Sequence, residues 1–143
     1  MIRYSNERLS AYEYIDFLRH TDLGSQYPAE RFEERITKLL KNASISLTAR
    51  DENGTLAGVL LGLTDFAYWL YITDLGVAKD HERQGIGRNL MHMALETAGG
   101  EKDITVYLTA NEKAIPFYQK LGMIKAGDVM QYSNTEWTAF TVR

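Results

Sequence analysis

Cysteine is absent from the 143 residues. Disulfides, thiolate metal sites and thiol nucleophiles are therefore all excluded. Basic residues do not predominate: the formal charge is −3 and the sequence pI is near 5.6. That balance argues against a nucleic-acid binder, which would present a basic face, and it is compatible with a cationic small substrate. No apolar run approaches the roughly 20 residues of a membrane helix. The opening MIRYSNERL lacks the apolar centre of a signal peptide, so the expectation is a cytoplasmic protein with no membrane association. Histidine occurs three times, as His20, His81 and His92, with no metal-ligand spacing and no partnered nucleophile, so no metal is expected. Repeats, linkers and low-complexity segments are missing as well.

What is present reads as one globular domain over residues 1–143. Hydrophobic residues make up 45 % and charged residues 24 %, which is ordinary usage for a folded domain. A chain of this length buries roughly two-thirds of its extended surface and needs no staples.

Ile2–Tyr4 reads as a short strand. Ser10 then opens a helix through an S-x-x-E box with Glu13, with Leu9 and Tyr14 placed to staple across it. A second helix is expected from about Pro28, with Phe32, Ile36, Leu39 and Leu40 on one face. Ser44–Ala49 alternates as a strand, Asn53-Gly54 marks a hairpin, and Thr55–Leu63 and Tyr68–Val77 read as central strands. A third helix from about Gly85 to Ala98 buries Ile86, Leu90, Met93 and Ala94, and Gly99-Gly100 stops it. Ile104–Leu108 is a strand, and a short helix runs from about Glu112 to Leu121. The rest, clearest over 137–142, reads as a closing hairpin. This is a mixed α+β pattern.

Within KDHERQGIGRNLM (79–91), Gly85 and Gly87 stand at a helix start, where backbone amides can cradle phosphate. The P-loop requires a Gly-Lys pair, and the chain has none. The dinucleotide fingerprint requires a third glycine where Leu90 stands and a carboxylate near Thr105–Tyr107; neither is there. The two glycines could also serve only to let the helix pack closely on the sheet.

A third glycine pattern comes closer. ERQGIG (82–87) nearly fits [QR]-x-x-G-x-[GA], with Glu82 at the first position in place of Gln or Arg. TDLGV (73–77) precedes it. Asn111, Ala114, Phe117, Tyr118, Leu121, Gly122 and Met123 meet N-x-x-A-x-x-F-Y-x-x-L-G-[FM]. In these motifs and their order the whole chain resembles the GNAT superfamily of N-acetyltransferases.

The resemblance implies a mixed, mostly antiparallel sheet of about six to seven strands, flanked by about four helices and splayed between strands 4 and 5. It implies acetyl-CoA as co-substrate and acetyl transfer to a primary amine of a small molecule or peptide by direct attack. A non-catalytic acyl-CoA-binding module on the same fold is the alternative. Cofactor contacts are implied at Arg83, Gln84, Gly85, Ile86, Gly87 and Arg88 for the pyrophosphate. Leu75, Gly76 and Val77 would take the pantetheine arm, helped by Asn111 and Phe117. Tyr118 is implied as the acid that protonates the leaving thiolate. For the base, Asp74 comes first and Asp65 second. Phe66, Tyr68, Trp69 and Tyr71, joined by Tyr132 and Trp137, would line the acceptor pocket. A homodimer is common in the family.

Overall fold

The structure is a computed structural model that describes residues 1–23, 27–135 and 137. Five strands form one sheet in chain order: β1 (Arg3–Asn6), β2 (Ile45–Arg50), β3 (Leu56–Thr64), β4 (Trp69–Val77) and β5 (Thr105–Leu108). The first four pair antiparallel, and β4 pairs with β5 in parallel. The helices are α1 (Ala11–Leu18), α2 (Phe32–Asn42), α3 (Ile86–Ala98) and α4 (Ile115–Lys120). The architecture is the expected mixed α+β one, with five strands among the described residues where six to seven were expected. Residues 124–135 form no strand, and the expected hairpin over 137–142 lies outside the described residues except for Trp137.

Central β3 is buried on both faces from Leu56 to Gly62, as a strand between two helical layers must be. One core cluster joins Leu9, Tyr14, Phe17, Ile36 and Leu40 to Val59 and Leu61, beneath α1 and α2. The other joins Leu47, Leu60, Leu70 and Ile72 to Ile86, Leu90 and Ala94, beneath α3.

Local chemistry sets most helix ends. Ser10 Oγ accepts the Glu13 amide at 3.1 Å, which caps α1. Glu13 does not return the bond. Its carboxylate pairs instead with Arg50, which also holds Glu7, so one guanidinium ties α1, β2 and the segment after β1 together. The second helix begins at Phe32, four residues later than Pro28 suggested. Arg31 has φ 50°, a left-handed conformation a helix cannot continue through. The turn before it instead packs Tyr27 into the core, 5.9 Å ring to ring from Phe32.

Two irregularities in β4 shape the site. Leu61 pairs with Asp74 but Gly62 pairs with Ile72, so Thr73 is an extra residue, a β-bulge. Leu70 and Ile72 point to the α3 core, and strict alternation would send residue 74 there too. The bulge instead turns Asp74 to the α1 face. Second, β5 accompanies β4 only from Trp69 to Ile72, while β3 stays paired as far as Val77. Among the described residues, Thr73–Val77 therefore has a strand on one side only. This is the expected splay between the fourth and fifth strands.

Candidate active site

The open edge of β4 runs into the glycine loop. After Val77 the chain makes a short 3-10 turn (Lys79–His81) and then two left-handed residues, Arg83 at φ 65° and Gly85 at φ 78°. The second needs glycine for its lack of a Cβ. No side chain caps α3 at its start. Among the described residues, the first amide of this turn with a backbone acceptor is Asn89, bonded to Gly85 O at 3.0 Å. The amides of residues 86–88 thus face outward at the positive end of a 13-residue helix, a ready anion site. Arg83 and Arg88 are exposed, and Arg88 Nη2 lies 3.6 Å from where a Cβ on Gly85 would stand. Glu82 and Gln84 are also exposed. Ile86 is buried in the α3 core, so only its backbone is available to a ligand.

Gly87 joins the two sequence motifs in space. A Cβ there would stand 3.0 Å from Phe117 Cζ and 3.8 Å from Val77 Cγ2. The start of α3, the end of β4 and α4 therefore meet at one point. Phe117 sits edge-on to Tyr118, ring centroids 5.0 Å apart. Tyr118 is half-buried, burial pushes its phenol above the ordinary pKa, and among the described residues its O–H has no hydrogen-bond partner. Asn111 Oδ1 accepts the Ala114 amide at 2.9 Å and so caps the turn into α4.

On the other face of β4, Asp74 is 3 % exposed and its Oδ2 accepts a 2.5 Å hydrogen bond from Tyr14 Oη. Burial raises its pKa from 3.8 to about 6, against the opposing effect of that bond. Tyr14 is fully buried; burial first, and the Asp74 charge second, push its phenol well above its usual range. Leu75 and Val77 pack toward α3. Gly76 faces α1, where a Cβ would meet Leu23 Cδ1 at 2.6 Å.

Asp65 stands differently. Its Oδ1 accepts the amides of Ala67, Tyr68 and Trp69 at 2.8–3.0 Å. Those bonds, Trp69 first, hold its carboxyl below the ordinary pKa. It closes the β3–β4 turn. Phe66, Tyr68, Trp69 and Tyr71 all belong to this hairpin and are exposed. Trp69 stacks on Tyr107, 5.9 Å between centroids and 30° between planes. Tyr107 was missed in the sequence; its place beside Tyr71 follows only from the parallel register. The two late aromatics are not in this group. Tyr132 is 93 % exposed, and Trp137 lines a cleft of about 160 Å³ against Tyr27, Phe32 and Ile36 of the α2 layer. Both lie beyond the last described strand, and among the described residues neither pairs with the β3–β4 hairpin.

Among the described residues, no helix is long and apolar enough to cross a membrane, and no three His, Asp or Glu side chains gather as a metal site would require.

Known proteins are similar to this chain in sequence or in fold. Over 98 residues, 66 % of this chain, the sequence is 28 % identical to an uncharacterized N-acetyltransferase, ycf52, of Pyropia yezoensis. The match spans 56 % of that relative's length. A GNAT-family acetyltransferase of Streptococcus pneumoniae superposes with TM-score 0.72 at 18 % identity, over 94 % of this chain and 100 % of its own. The Escherichia coli ribosomal-protein-S18-alanine N-acetyltransferase gives 0.68 at 20 %, over 88 % and 79 %. At such identities these two likenesses speak for the fold. The sequence pattern of the Acetyltransferase (GNAT) family itself matches residues 10–123. A match over so much of the chain settles its membership: it belongs to the GNAT acetyltransferase family.

Proposed function

We propose that this protein transfers the acetyl group of acetyl-CoA to a primary amine, by direct attack within a ternary complex. The observation that carries this reading is how closely Phe117 and Val77 crowd Gly87, 3.0 and 3.8 Å from where a Cβ would stand. Among the described residues this crowding gathers an uncapped helix start, a strand edge with no partner strand and a phenol with no hydrogen-bond partner around one point. The residues fit the co-substrate: a bulky residue at 87 would close the cradle, and the outward amides with Arg83 and Arg88 suit a pyrophosphate.

In this reading the amides of residues 83–88 hold the pyrophosphate, and Leu75–Val77 pair with the amide-bearing arm as a strand would. When bound, acetyl-CoA supplies the acetyl group as a thioester. The Val77 amide stabilises negative charge developing on the carbonyl oxygen, worth about 3–4 kcal/mol of barrier for a well-placed donor. Asp74, by way of water, takes a proton from the substrate ammonium. The amine then forms the C–N bond as the C–S bond breaks. Tyr118 gives its proton to the departing thiolate and recovers one as the new amide nitrogen sheds its surplus proton. Asp65 is less suited to the base role, because the three amides bonded to its Oδ1 hold its carboxyl below the ordinary pKa and so weaken it as a proton acceptor.

Calorimetric titration with acetyl-CoA, free nucleotides serving as controls, tests the cradle. Thiol release across a panel of amines tests the transfer. Saturable micromolar binding with thiol release is expected. Absence of binding at millimolar acetyl-CoA would overturn the reading, and tight binding without turnover of any amine would make the protein a non-catalytic acyl-CoA-binding module.

A further inference from the structure

The β3–β4 hairpin is held more firmly than a connecting turn requires. Phe66 has φ 61°, a conformation that is an outlier for a bulky residue and persists only where the surroundings fix it. Here they do. Thr64 Oγ1 accepts the Phe66 amide at 3.0 Å while donating to Trp69 O at 2.6 Å, and Asp65 accepts three further amides. The device displays aromatic rings and does not bury them: Trp69 is 53 % exposed, and Tyr71 and Leu63 are exposed beside it.

The register places these groups on one face. Leu63 pairs with Tyr71, and on the next rung of that face Leu61 pairs with Asp74. Tyr107 of β5 lies across from Tyr71 and stacks on Trp69. Along β3 the two residues from Leu63 to Leu61, opposite Tyr71 and Asp74, span about 7 Å at roughly 3.3 Å each. The face thus carries an aromatic platform at one end and a carboxylate at the other. The other residues of this face, Leu61, Leu63, Trp69, Tyr71 and Tyr107, are uncharged, so a second cationic group on the ligand would find no carboxylate among them.

We infer that the acceptor is a primary monoamine carrying an aromatic ring, with the ring on Trp69, Tyr71 and Tyr107 and the amine toward Asp74. This rests on the acetyl-transfer reading above and narrows it from amines in general to one class; Trp69 and Tyr107 become its specificity-determining residues. A polyamine, with several cations and no ring, fits the same face poorly. Stacking and cation–π contact with the rings supply the selectivity.

The test compares 2-phenylethylamine, n-butylamine and spermidine as acceptors for the wild type, Trp69→Ala and Tyr107→Ala, with 2-phenylethylamine binding measured separately by calorimetry. Wild type should favour 2-phenylethylamine. Each substitution should lower its kcat/KM roughly tenfold through KM while n-butylamine changes less than about twofold. Spermidine or n-butylamine turned over as well as 2-phenylethylamine, or an equal loss on every amine, would overturn the inference and leave acetyl transfer standing. If no amine is acetylated, the transfer reading fails and binding decides this one. Binding of 2-phenylethylamine that Trp69→Ala abolishes would support the aromatic face as a ligand site, and no binding to the wild type would overturn it.

Discussion

Asp74→Asn has a consequence for stability that can be worked from the structure. Burial lifts the Asp74 pKa from 3.8 to about 6 in the folded chain. At about 1.4 kcal/mol per pH unit this shift is worth on the order of 3 kcal/mol. Between those two values the unfolded chain has released a proton that the folded chain still holds. Stability from this group is therefore greatest below pH 4 and is lost as pH rises through the folded value. About 2 of the 3 kcal/mol falls between pH 4.5 and 7.5. The substitution removes the titration while leaving an amide oxygen to accept the Tyr14 bond. Any penalty for burying the amide nitrogen is independent of pH and cancels when the two proteins are compared across pH. Urea unfolding at intervals of pH gives the profiles. The variant should gain about 2 kcal/mol on the wild type from pH 4.5 to pH 7.5. Parallel profiles would refute the reasoning.

Three further outcomes follow from other contacts. Tyr14→Phe removes the donor that favours ionised Asp74, so the loss of stability with pH should shift to higher pH in the same unfolding profiles. Gly87→Ala puts a Cβ 3.0 Å from the half-exposed Phe117 ring, which can give way. Thermal stability should change little, while acetyl-CoA affinity falls about tenfold (on the order of 1.4 kcal/mol) in calorimetry. Asp65→Asn keeps the oxygen that accepts the turn amides and should keep both the melting temperature and the acetylation rate. Asp65→Ala should lower the melting temperature, and loss of acetylation in the asparagine variant alone would return Asp65 to the role of base.

What could be read from the sequence was what neighbouring residues decide. Ser10 accepts an amide three residues on, and Gly85 and Gly99 end or begin a helix by their own conformations. Helix and strand positions therefore came out within a few residues, and the loop and the N-x-x-A-x-x-F-Y helix were legible as motifs. Pro28 misled because a proline at a helix start and a proline in a turn leave the same local trace, and only the left-handed Arg31 separates them. The bulge at Thr73 left no mark at all. It exists because β3 and β4 pair out of step, and it alone decides which face carries Asp74. The Tyr14–Asp74 bond joins residues 60 apart, and Tyr107 enters the aromatic face only through the parallel register of β5. Pairings between distant segments fix these features, and a period within one segment cannot reveal them.

That bulge also bears on why the carboxylate is there. Tyr14 Oη needs an acceptor inside the α1 core, and an uncharged amide or hydroxyl side chain at position 74 would provide one without an ionised group in an apolar layer. With Asp74 the chain carries a cost on the order of 3 kcal/mol at neutral pH, a large share of the 5–15 kcal/mol that usually separates folded from unfolded. A group kept for structure alone has no reason to incur it. A base operating near neutrality does, because a pKa near the working pH lets it both take and release a proton. The two accounts part on one protein, Asp74→Asn. If the carboxylate is structural, the folded variant should acetylate normally at pH 7.5. If it is the base, the variant should hold its fold as well or better and lose acetylation by a factor of about 10²–10⁴. Turnover of one amine by both proteins at pH 7.5, set beside their unfolding midpoints, separates them.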